Sequence, residues 1–484
     1  MQSWLSWFLR GILILGFLLL VGRTVELQVI KGSYYRTLSE ENRIKRVPIT
    51  AARGRILARG GEVMDGSDFA HITGYLGEVN ENEVGKVNPK CPEKGPRYLG
   101  QMVGKVGLQL EYNCLLEGTD GEELVEVTST GANVRTLGVR HPVPGKDLTT
   151  TIDYGLQKEV AKDLDKKGAV VVSDPKGQIL ALFSYPSYNP EDVAVSLKDP
   201  DLPFFNRAIS GLYHPGSTFK PVVAVAALEA GVIDKNFVFD DPGVITVNGF
   251  NYGNWYFSQY GGREGAINLV RAITRSTDTF FYKIGEMVGP DTIAQWAQKF
   301  GLDKPTGIDL SGEASGLIPT PEWKVRIKGE NWFLGNTYHM AIGQGDVSVT
   351  PVEVNNFIST IANGGYLCKD HIGMDVKEDC KSINVEKNNL ELVKQGMIGV
   401  CAAGGTGYTF FDFKSDILNP VACKTGTAQT SGTEETHAWF TLFAPAEMPQ
   451  IVMTAIVEKG GEGSKVGGPI ARSIMDYWNL RNNP

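Results

Sequence analysis

The sequence is poor in cysteine, carries no basic run and contains a single long apolar run. Its six cysteines among 484 residues are too sparse for a disulfide-built scaffold, and none forms the C-x-x-C pair of zinc or thioredoxin-like sites. Cys368 and Cys380 bracket a polar stretch, and this spacing is compatible with a disulfide and with two unpaired thiols. A net charge of −8 without a cluster of lysines and arginines argues against a nucleic-acid binder, so we expect no nucleic-acid partner.

The apolar run lies at the amino end. From Trp4 to Val21 the chain reads WLSWFLRGILILGFLLLV, interrupted only by Ser6 and Arg10. A helix of this length spans roughly 27 Å, close to the ~30 Å hydrocarbon core of a bilayer. Arg10 lies toward one end, where its side chain can reach the interface. No small-x-small cleavage site follows the run, so we predict an uncleaved transmembrane anchor over 4–22 rather than a signal peptide.

The remaining chain predicts two folded domains of α+β type, over 25–148 and 149–484. Apolar, β-branched runs occur near the start of the second domain (GAVVVSD and QILALFS) and near its end (HAWFTLFAP and QIVMTAIVE). Helical patterns fill the middle, and a closing helix is predicted from about Pro469 to Trp478. Strands from both ends with helices between them predict an antiparallel sheet with flanking helices and a helical subdomain.

Two copies of a Ser-x-x-Lys motif are present, and their context separates them. A serine and a lysine three residues apart face each other only on a helix. Ser173 ends a predicted strand and precedes a Pro-Lys-Gly turn, whereas Ser217 follows Pro-Gly and precedes the apolar helical run after Lys220. Pro221 then falls in the first turn, where proline is tolerated. Ser217 and Lys220 are thus a candidate nucleophile and base, with an N-cap serine and a surface lysine as the alternative.

Two further elements give Ser217 possible partners. Ser276-Thr-Asp278 precedes an apolar helical stretch 59 residues later, and Lys424-Thr425-Gly426-Thr427 follows after another 148 residues. Lysine supplies a positive charge, threonine hydroxyls can receive a carboxylate, and glycine allows a substrate backbone to come close. This order of elements is typical of penicillin-interacting serine acyltransferases. Ser382-Ile-Asn384 also fits the middle element, but its charged surroundings argue against it.

With these motifs the chain resembles the class B penicillin-binding proteins, and within them the elongation-type branch of penicillin-binding protein 2. The likeness extends to LQVIKGSYYRTLSEENRIKRVPITAARGRIL, to FNRAISGLYHPGSTFKP and to TYHMAIGQGDVSVTP. Ser-x-Asp followed by Thr-Phe-Phe-Tyr points to the elongation-type branch. The resemblance implies the penicillin-binding-protein transpeptidase fold, similar to serine β-lactamases, over 149–484. It also implies a small pedestal, or dimerisation-like, domain over 25–148 and a catalytic domain on the extracytoplasmic side of the cell membrane.

The resemblance also implies the chemistry. Ser217 would attack peptidoglycan stem peptides ending in D-Ala-D-Ala, and β-lactams would acylate the same serine. The implied catalytic set is Ser217, Lys220, Ser276, Asp278 and Lys424, and the implied substrate-binding set is Thr425, Gly426 and Thr427. Implied partners are the membrane, a SEDS-family glycosyltransferase and other elongation-complex proteins. A non-catalytic scaffold and a β-lactam-hydrolysing or sensing relative are the alternatives.

Three departures from the family pattern limit what is carried over. Only residues 62–70 separate RILARGG from HITGY, where relatives insert a long head subdomain, so the pedestal is predicted to be truncated. The family's Asp-Arg-Asn-Gly is Ala58-Arg59-Gly60-Gly61 here. Many relatives carry Gly-His-Gly and Ser-Cys-Asp, which bind zinc in some of them. This chain has 261–263 as Gly-Gly-Arg and 276–278 as Ser-Thr-Asp, so we expect no metal and no cofactor.

Two other features have a structural and a functional interpretation. His214 precedes Ser217 by three residues, but no Gly-x-Ser-x-Gly elbow accompanies it, so a structural role is favoured. The aromatic stretch NWYFSQY is compatible with a substrate groove, with packing and with an exposed loop.

Overall fold

The computed structural model describes residues 2–128, 130–430 and 435–482, which fall into two compact units. One unit contains the stretch that ends at Gly54 together with Leu115–Lys146. The other contains Arg55–Cys114 together with the stretch that begins at Asp147. The predicted pedestal range, 25–148, therefore contributes residues to both units.

The α-helices in chain order are α1 (Gln2–Val25), α2 (Gly32–Arg43), α3 (Ala70–Thr73), α4 (Gly107–Glu111), α5 (Asn113–Leu116), α6 (Tyr154–Asp163), α7 (Val193–Ser196), α8 (Lys220–Glu229), α9 (Trp255–Tyr260), α10 (Leu269–Arg275), α11 (Asp278–Val288), α12 (Pro290–Lys299), α13 (Pro321–Lys328), α14 (Leu334–Ala341), α15 (Pro351–Ala362), α16 (Lys387–Cys401) and α17 (Gly463–Asn482). A π-helical turn covers Glu26–Ile30, and 3₁₀ turns cover Pro92–Lys94, Gly216–Phe219 and Tyr408–Phe410.

The strands are β1 (Ile44–Ile49), β2 (Ile56–Leu57), β3 (Leu76–Glu78), β4 (Met102–Gly104), β5 (Gly121–Val127), β6 (Asn133–Arg140), β7 (Leu148–Thr149), β8 (Gly168–Ser173), β9 (Ile179–Tyr185), β10 (Val238–Asp241), β11 (Val244–Val247), β12 (Phe250–Gly253), β13 (Gly265–Asn268), β14 (Tyr366–Cys368), β15 (Cys380–Ser382), β16 (Ala422–Gln429), β17 (Thr436–Ala444) and β18 (Ile451–Val457).

The first unit contains the amino-terminal helix and a small antiparallel sheet. The helical segment Trp4–Ile30, made of most of α1 and the π-helical turn, is 27 residues long, and an 18-residue stretch within it has a mean hydropathy of 2.1. That length and composition fit a single-pass membrane anchor. The sheet has the strand order β1-β5-β6, with Ile44 opposite Glu126 and Ile49 opposite Gly121.

The second unit is built on a five-stranded antiparallel sheet with the order β16-β17-β18-β8-β9. Every residue of β8 and β18 is buried; β8 is rich in valine, and β18 is rich in valine and isoleucine. Such continuous apolar strands need cover on both faces of a sheet. Helices α6 and α17 pack on the sheet and against each other. Helix α15 also packs on the sheet. The predicted α+β fold and both predicted strand pairs are confirmed.

A group of helices continues from the sheet, with α8 at its centre. From Lys220 to Leu228 every residue of α8 is buried, and all of them except Lys220 are apolar. A helix that is apolar on all sides is buried on all sides, and α8 packs against α10, α11, α12 and α16. The Ser-x-x-Lys element therefore leads into a helix that is enclosed from Lys220 to Leu228.

The predicted start of the closing helix is wrong. The helix α17 begins at Gly463, and Pro469 lies inside it. Proline is common at the first helical position, but Pro469 is not at that position here. The preceding Gly467 continues the helix because it passes the sheet closely: a Cβ at Gly467 would come within 2.9 Å of Phe440 Cβ.

All six cysteines are paired in the structure. The disulfides join Cys91 to Cys114, Cys368 to Cys380 and Cys401 to Cys423, across sequence separations of 23, 12 and 22 residues. Of the two interpretations of Cys368 and Cys380, the structure has the disulfide. The three bonds brace local segments of a protein that already has a large apolar core.

Candidate active site

A cleft of about 1150 Å³ opens beside the five-stranded sheet, and all three sequence elements reach it. Ser217, Ser276, Asp278, Thr425 and Thr427 line its surface. The strand β12 and the helix α9 form a further wall. Lys220 and Lys424 lie behind this surface, and neither is exposed to solvent.

Ser217 lies in the 3₁₀ turn Gly216–Phe219, just before α8 begins at Lys220. The expected helical geometry holds, but the first turn is 3₁₀ and the residue at its N-cap is Pro215. Gly216 has a φ of +55°, and a Cβ there would come within 3.0 Å of the Thr427 carbonyl oxygen. Only glycine allows this turn to pack so closely on β16, which brings Ser217 next to the lysine-threonine-glycine strand.

Lys220 is fully buried, so the alternative of a surface lysine is wrong. Its Nζ donates to the Ser276 carbonyl oxygen at 2.7 Å, to Ser276 Oγ at 3.1 Å and to Asp278 Oδ1 at 2.7 Å. An ammonium group has three N–H donors, so these three acceptors use its full hydrogen-bonding capacity. Burial lowers the pKa of Lys220, while the neighbouring Asp278 carboxylate acts in the opposite direction.

Ser276 joins the two buried lysines. It ends α10 with a left-handed backbone (φ 54°, ψ 41°), an uncommon conformation for a residue other than glycine. Its Oγ lies 3.1 Å from Lys220 Nζ and 2.9 Å from Lys424 Nζ. This oxygen is therefore shared by the two lysines, and Ser276 also lines the cleft.

Lys424 is held on β16, where it lies opposite Thr441 of β17. Besides Ser276, its Nζ donates to the Thr425 carbonyl oxygen at 2.9 Å. Burial, and then repulsion from Lys220, lower the pKa of Lys424 well below the ordinary value for lysine. Asp278 is the carboxylate that faces this pair, so two positive charges share one negative charge. This arrangement favours a pair in which one lysine is neutral.

Asp278 is the first residue of α11 and uses both carboxylate oxygens. Oδ1 accepts from Lys220, and Oδ2 accepts the backbone N–H of Trp255 at 3.3 Å. The side chain of Asp278 is 16% exposed, whereas that of Lys220 is fully enclosed. The carboxylate thus orients the lysine from the wall of the cleft.

The strand β16 presents threonine hydroxyls to the cleft. Thr425 Oγ1 lies 2.8 Å from Thr406 Oγ1, and Thr427 Oγ1 accepts from the Gly463 backbone N–H at 3.4 Å. A Cβ at Gly426 would come within 2.9 Å of Thr218 and of Trp439. Glycine at this position therefore lets β16 pass between the nucleophile turn and β17.

The structure brings together every residue proposed from the sequence and separates the rejected copies from them. Ser173 is buried on β8 and bonds to Asn355, away from the cleft. Ser382 ends β15 and likewise does not line the cleft. Among the described residues, no group of three or more His, Cys, Asp or Glu side chains is placed to hold a metal ion.

Sequence reasoning missed some of the residues that line the cleft. Thr406, which bonds to Thr425, belongs to the Gly404-Gly405-Thr406-Gly407 stretch. Gln344 also lines the cleft, and its Nε2 lies 3.5 Å from the Thr427 carbonyl oxygen. Trp255 and Tyr260 of the NWYFSQY stretch line the cleft, which is the position that a substrate groove requires. His214 also lines it, with Nδ1 2.6 Å from the Val347 carbonyl oxygen.

Comparisons with known proteins agree with this geometry. Residues 168–476 match the penicillin binding protein transpeptidase domain, and residues 62–150 match the penicillin-binding protein dimerisation domain. The peptidoglycan D,D-transpeptidase MrdA of Haemophilus influenzae is 36% identical over 453 residues, which cover 85% of this chain and 68% of that protein.

Two solved structures are similar over nearly the whole chain. PBP2 of Pseudomonas aeruginosa, in complex with WCK 5153, has a TM-score of 0.77 at 32% identity and covers 90% of this chain and 96% of that one. PBP2 of Helicobacter pylori, in complex with MreC, has a TM-score of 0.78 at 27% identity and covers 90% and 99%. With its three motifs meeting in one cleft and its sequence matching along both domains, the chain belongs to the PBP2-type class B penicillin-binding proteins, the peptidoglycan D,D-transpeptidases of cell-wall elongation.

Proposed function

We propose that this chain cross-links peptidoglycan through an acyl-enzyme on Ser217, with the two buried lysines and Ser276 as its proton-handling group. The observation that carries the proposal is Ser276 Oγ between Lys220 Nζ and Lys424 Nζ, beside Ser217 in one cleft. Ser217 Oγ attacks the carbonyl carbon of the penultimate D-Ala, and the bond to the terminal D-Ala nitrogen breaks. The amine of a neighbouring stem peptide then attacks the ester and releases Ser217.

The proton of Ser217 passes to Lys220, which must first be neutral. Lys220 contacts the Asp278 carboxylate directly, and the bonds of Lys424 run to Ser276 Oγ and to the Thr425 carbonyl oxygen. When Lys424 is neutral, Ser276 Oγ can accept a proton from Lys220 while its own hydroxyl proton passes to Lys424, which leaves Lys220 neutral. Ser276 lines the cleft, so its hydroxyl can also deliver a proton to the leaving D-Ala amine and recover one from Lys220.

Substrate recognition falls to β16 and the nucleophile turn. The hydroxyls of Thr425 and Thr427 bind the terminal carboxylate of the stem peptide, and Gly426 leaves room for its backbone. The backbone N–H groups of Ser217 and Thr427 stabilise the negative charge that develops on the attacked carbonyl oxygen. No metal or other cofactor takes part in this proposal.

Labelling with fluorescent penicillin tests the nucleophile. Wild-type protein is expected to form one stable adduct that maps to Ser217, and Ser217→Ala is expected to lose it. Ser173→Ala is the matched control, since Ser173 belongs to the second Ser-x-x-Lys copy. An unlabelled wild type, or equal labelling of Ser217→Ala, contradicts the assignment.

The same experiment separates the transpeptidase from its alternatives. A long-lived penicillin adduct is expected for a transpeptidase, whereas fast turnover of the β-lactam indicates a hydrolase. A scaffold without activity forms no adduct. The buried lysine pair argues for activity. Burying two ammonium groups destabilises a fold, so such a pair is expected where it serves the chemistry of a site.

We further propose that the cleft works on the extracytoplasmic side of the cell membrane, with the anchor over 4–22, the pedestal over 25–148 and the transpeptidase domain over 149–484. Three disulfides and no free cysteine among the described residues favour an oxidising compartment for the folded body. A SEDS-family glycosyltransferase and other elongation-complex proteins are the proposed partners, and the H. pylori relative has been solved with MreC. A cross-linking assay with and without the glycosyltransferase tests this, and equal rates in both contradict it.

A further inference from the structure

The side chain of Asp241 is enclosed outside the catalytic set and receives four hydrogen bonds. It ends β10 and is 2% exposed. Oδ1 accepts from the Gly243 N–H at 2.9 Å and from Thr279 Oγ1 at 2.5 Å. Oδ2 accepts from Asn254 Nδ2 at 3.0 Å and from the Glu264 N–H at 2.9 Å. The donors come from the turn after β10, from α11, from the start of α9 and from the segment before β13.

Two of these bonds lead directly to Asp278. Thr279 is the next residue after Asp278 on α11, so its hydroxyl ties the start of that helix to Asp241. Asn254 is fully buried and caps α9, with Oδ1 accepting the Tyr256 N–H at 3.2 Å. Trp255, the residue between Asn254 and Tyr256, donates its backbone N–H to Asp278 Oδ2.

Trp255 is fixed at a second point. Its indole Nε1 donates to the Arg275 carbonyl oxygen at 2.9 Å, and Arg275 immediately precedes Ser276. The wall made by α9 therefore holds both ends of the Ser276–Asp278 element, one by the indole and one by the backbone amide. This leaves Asp278 Oδ1 facing Lys220.

We propose that Asp241 is a positioning residue for acyl transfer: through Asn254 and Thr279 it holds the Trp255 amide and α11 so that Asp278 keeps one oxygen on Lys220. The inference rests on the roles proposed above for Ser217, Lys220 and Asp278. Asp241 itself touches neither Lys220 nor the cleft, so its effect passes through Asp278.

Asparagine at position 241 is a sharp test because the shape is kept. Each carboxylate oxygen of Asp241 accepts two hydrogen bonds. In Asp241→Asn one of these oxygens is replaced by an NH₂ group, which cannot accept the two hydrogen bonds that are directed at it. Asp240 is the matched control, since it is the exposed neighbour on the same strand. Thr279→Val removes one bond without changing the size of the side chain, and Thr279→Ser restores the hydroxyl.

The measurement is the second-order rate constant for acylation by fluorescent penicillin against pH, on full-length protein in detergent. Asp241→Asn and Thr279→Val are expected to acylate about tenfold slower, the size expected for losing one hydrogen bond to a charged group. Asp240→Asn is expected to keep the wild-type rate, and Thr279→Ser to recover most of it.

The pH profile separates positioning from simple damage. The charged groups that face Lys220 are Asp278 of α11 and Lys424 of β16, and the phenol of Tyr282 faces Asp278. Because Asp278 raises the pKa of Lys220, a displaced Asp278 moves the ascending limb of the profile to lower pH. A loss of folded protein reduces the labelled fraction and leaves the limb in place.

Two outcomes overturn the proposal. One is that Asp241→Asn has the acylation rate and the pH profile of the wild type. The other is that Asp241→Asn and Thr279→Val both acylate more slowly while the ascending limbs of their pH profiles stay at the wild-type position. If Asp241→Asn does not fold, the comparison of Thr279→Val with Thr279→Ser tests the positioning role by itself. Ser217→Ala, run alongside, keeps the two questions apart. Labelling of that variant refutes the proposed function, whereas its absence together with an unaffected Asp241→Asn refutes only the positioning role.

Discussion

Ser276 Oγ lies within hydrogen-bond distance of two lysine Nζ atoms that have no access to solvent. Its left-handed backbone also directs the Ser276 carbonyl oxygen toward Lys220 at 2.7 Å. A non-glycine residue in this conformation carries a small strain, which is often found where function requires a fixed geometry. At the scale of single residues, then, the proton path depends on one hydroxyl in a constrained position.

Replacing this hydroxyl gives the first prediction. Ser276→Ala leaves Lys220 and Lys424 without their shared acceptor and removes the path to the leaving amine. We expect acylation by fluorescent penicillin to slow about 100-fold, in the range measured for general acid–base groups. Ser382→Ala, which alters the rejected copy of the motif, is expected to match the wild type. A wild-type rate in Ser276→Ala contradicts the relay.

At the scale of elements, the strand that carries Lys424 is tied covalently to the neighbouring helix. Cys401 ends α16, and Cys423 immediately precedes Lys424 on β16. The loop after α16 carries Thr406, which bonds to Thr425. On either side of Lys424, β16 is therefore held by the disulfide to α16 and by this hydrogen bond to the loop after α16.

Removing this disulfide is predicted to affect chemistry as well as stability. Cys401→Ala with Cys423→Ala is expected to lower the unfolding free energy by about 2–4 kcal/mol and to slow acylation about tenfold, because Lys424 and Thr425 lose their fixed position. The control, Cys368→Ala with Cys380→Ala, opens the β14–β15 pair outside the cleft. It is expected to lose stability but keep the acylation rate. Equal rates in both double variants rule out a positioning role for Cys401–Cys423.

At the scale of the whole molecule, the three disulfides make the compartment testable. Protein isolated from membranes and denatured without reductant is predicted to have no thiol that reacts with iodoacetamide, and six after reduction, because all six cysteines are paired. Mass spectrometry after alkylation counts them. Free thiols in most molecules contradict the extracytoplasmic location.

Global stability is predicted to depend on pH through Asp370. This residue is fully buried, with Asn356 Nδ2 donating to Oδ1 at 2.9 Å, and burial raises its pKa well above the ordinary value. The charges of Glu313 and Asp174 act in the same direction, and a hydrogen bond from Thr306 acts against them. A carboxyl with a raised folded-state pKa stabilises fully below its unfolded-state pKa, about 4, and loses that contribution as the pH rises.

The variant Asp370→Asn removes this titration. We expect its melting temperature relative to wild type to increase by about 2 °C or more between about pH 5 and about pH 9, since only the wild type must ionise a buried group. Exposed Asp379, changed to asparagine, is the control and is expected to show a constant difference. A constant difference for Asp370→Asn as well means that the buried carboxyl does not titrate in this range.

The sequence by itself determined the three motifs, their order, the anchor and the type of most elements, because helix periodicity, β-branched runs and turn residues act over a few positions. It did not place the start of α17, where close packing of Gly467 on Phe440 outweighs the usual position of proline. Only the tertiary structure decided that Lys220 and Lys424 are both buried on one serine oxygen, that all six cysteines pair, and that Asp241 holds the wall beside Asp278. The contacts of Ser276 alone join it to lysines that are 56 and 148 positions away in the sequence. Such distances are closed by packing of the whole domain, and local sequence carries no record of them.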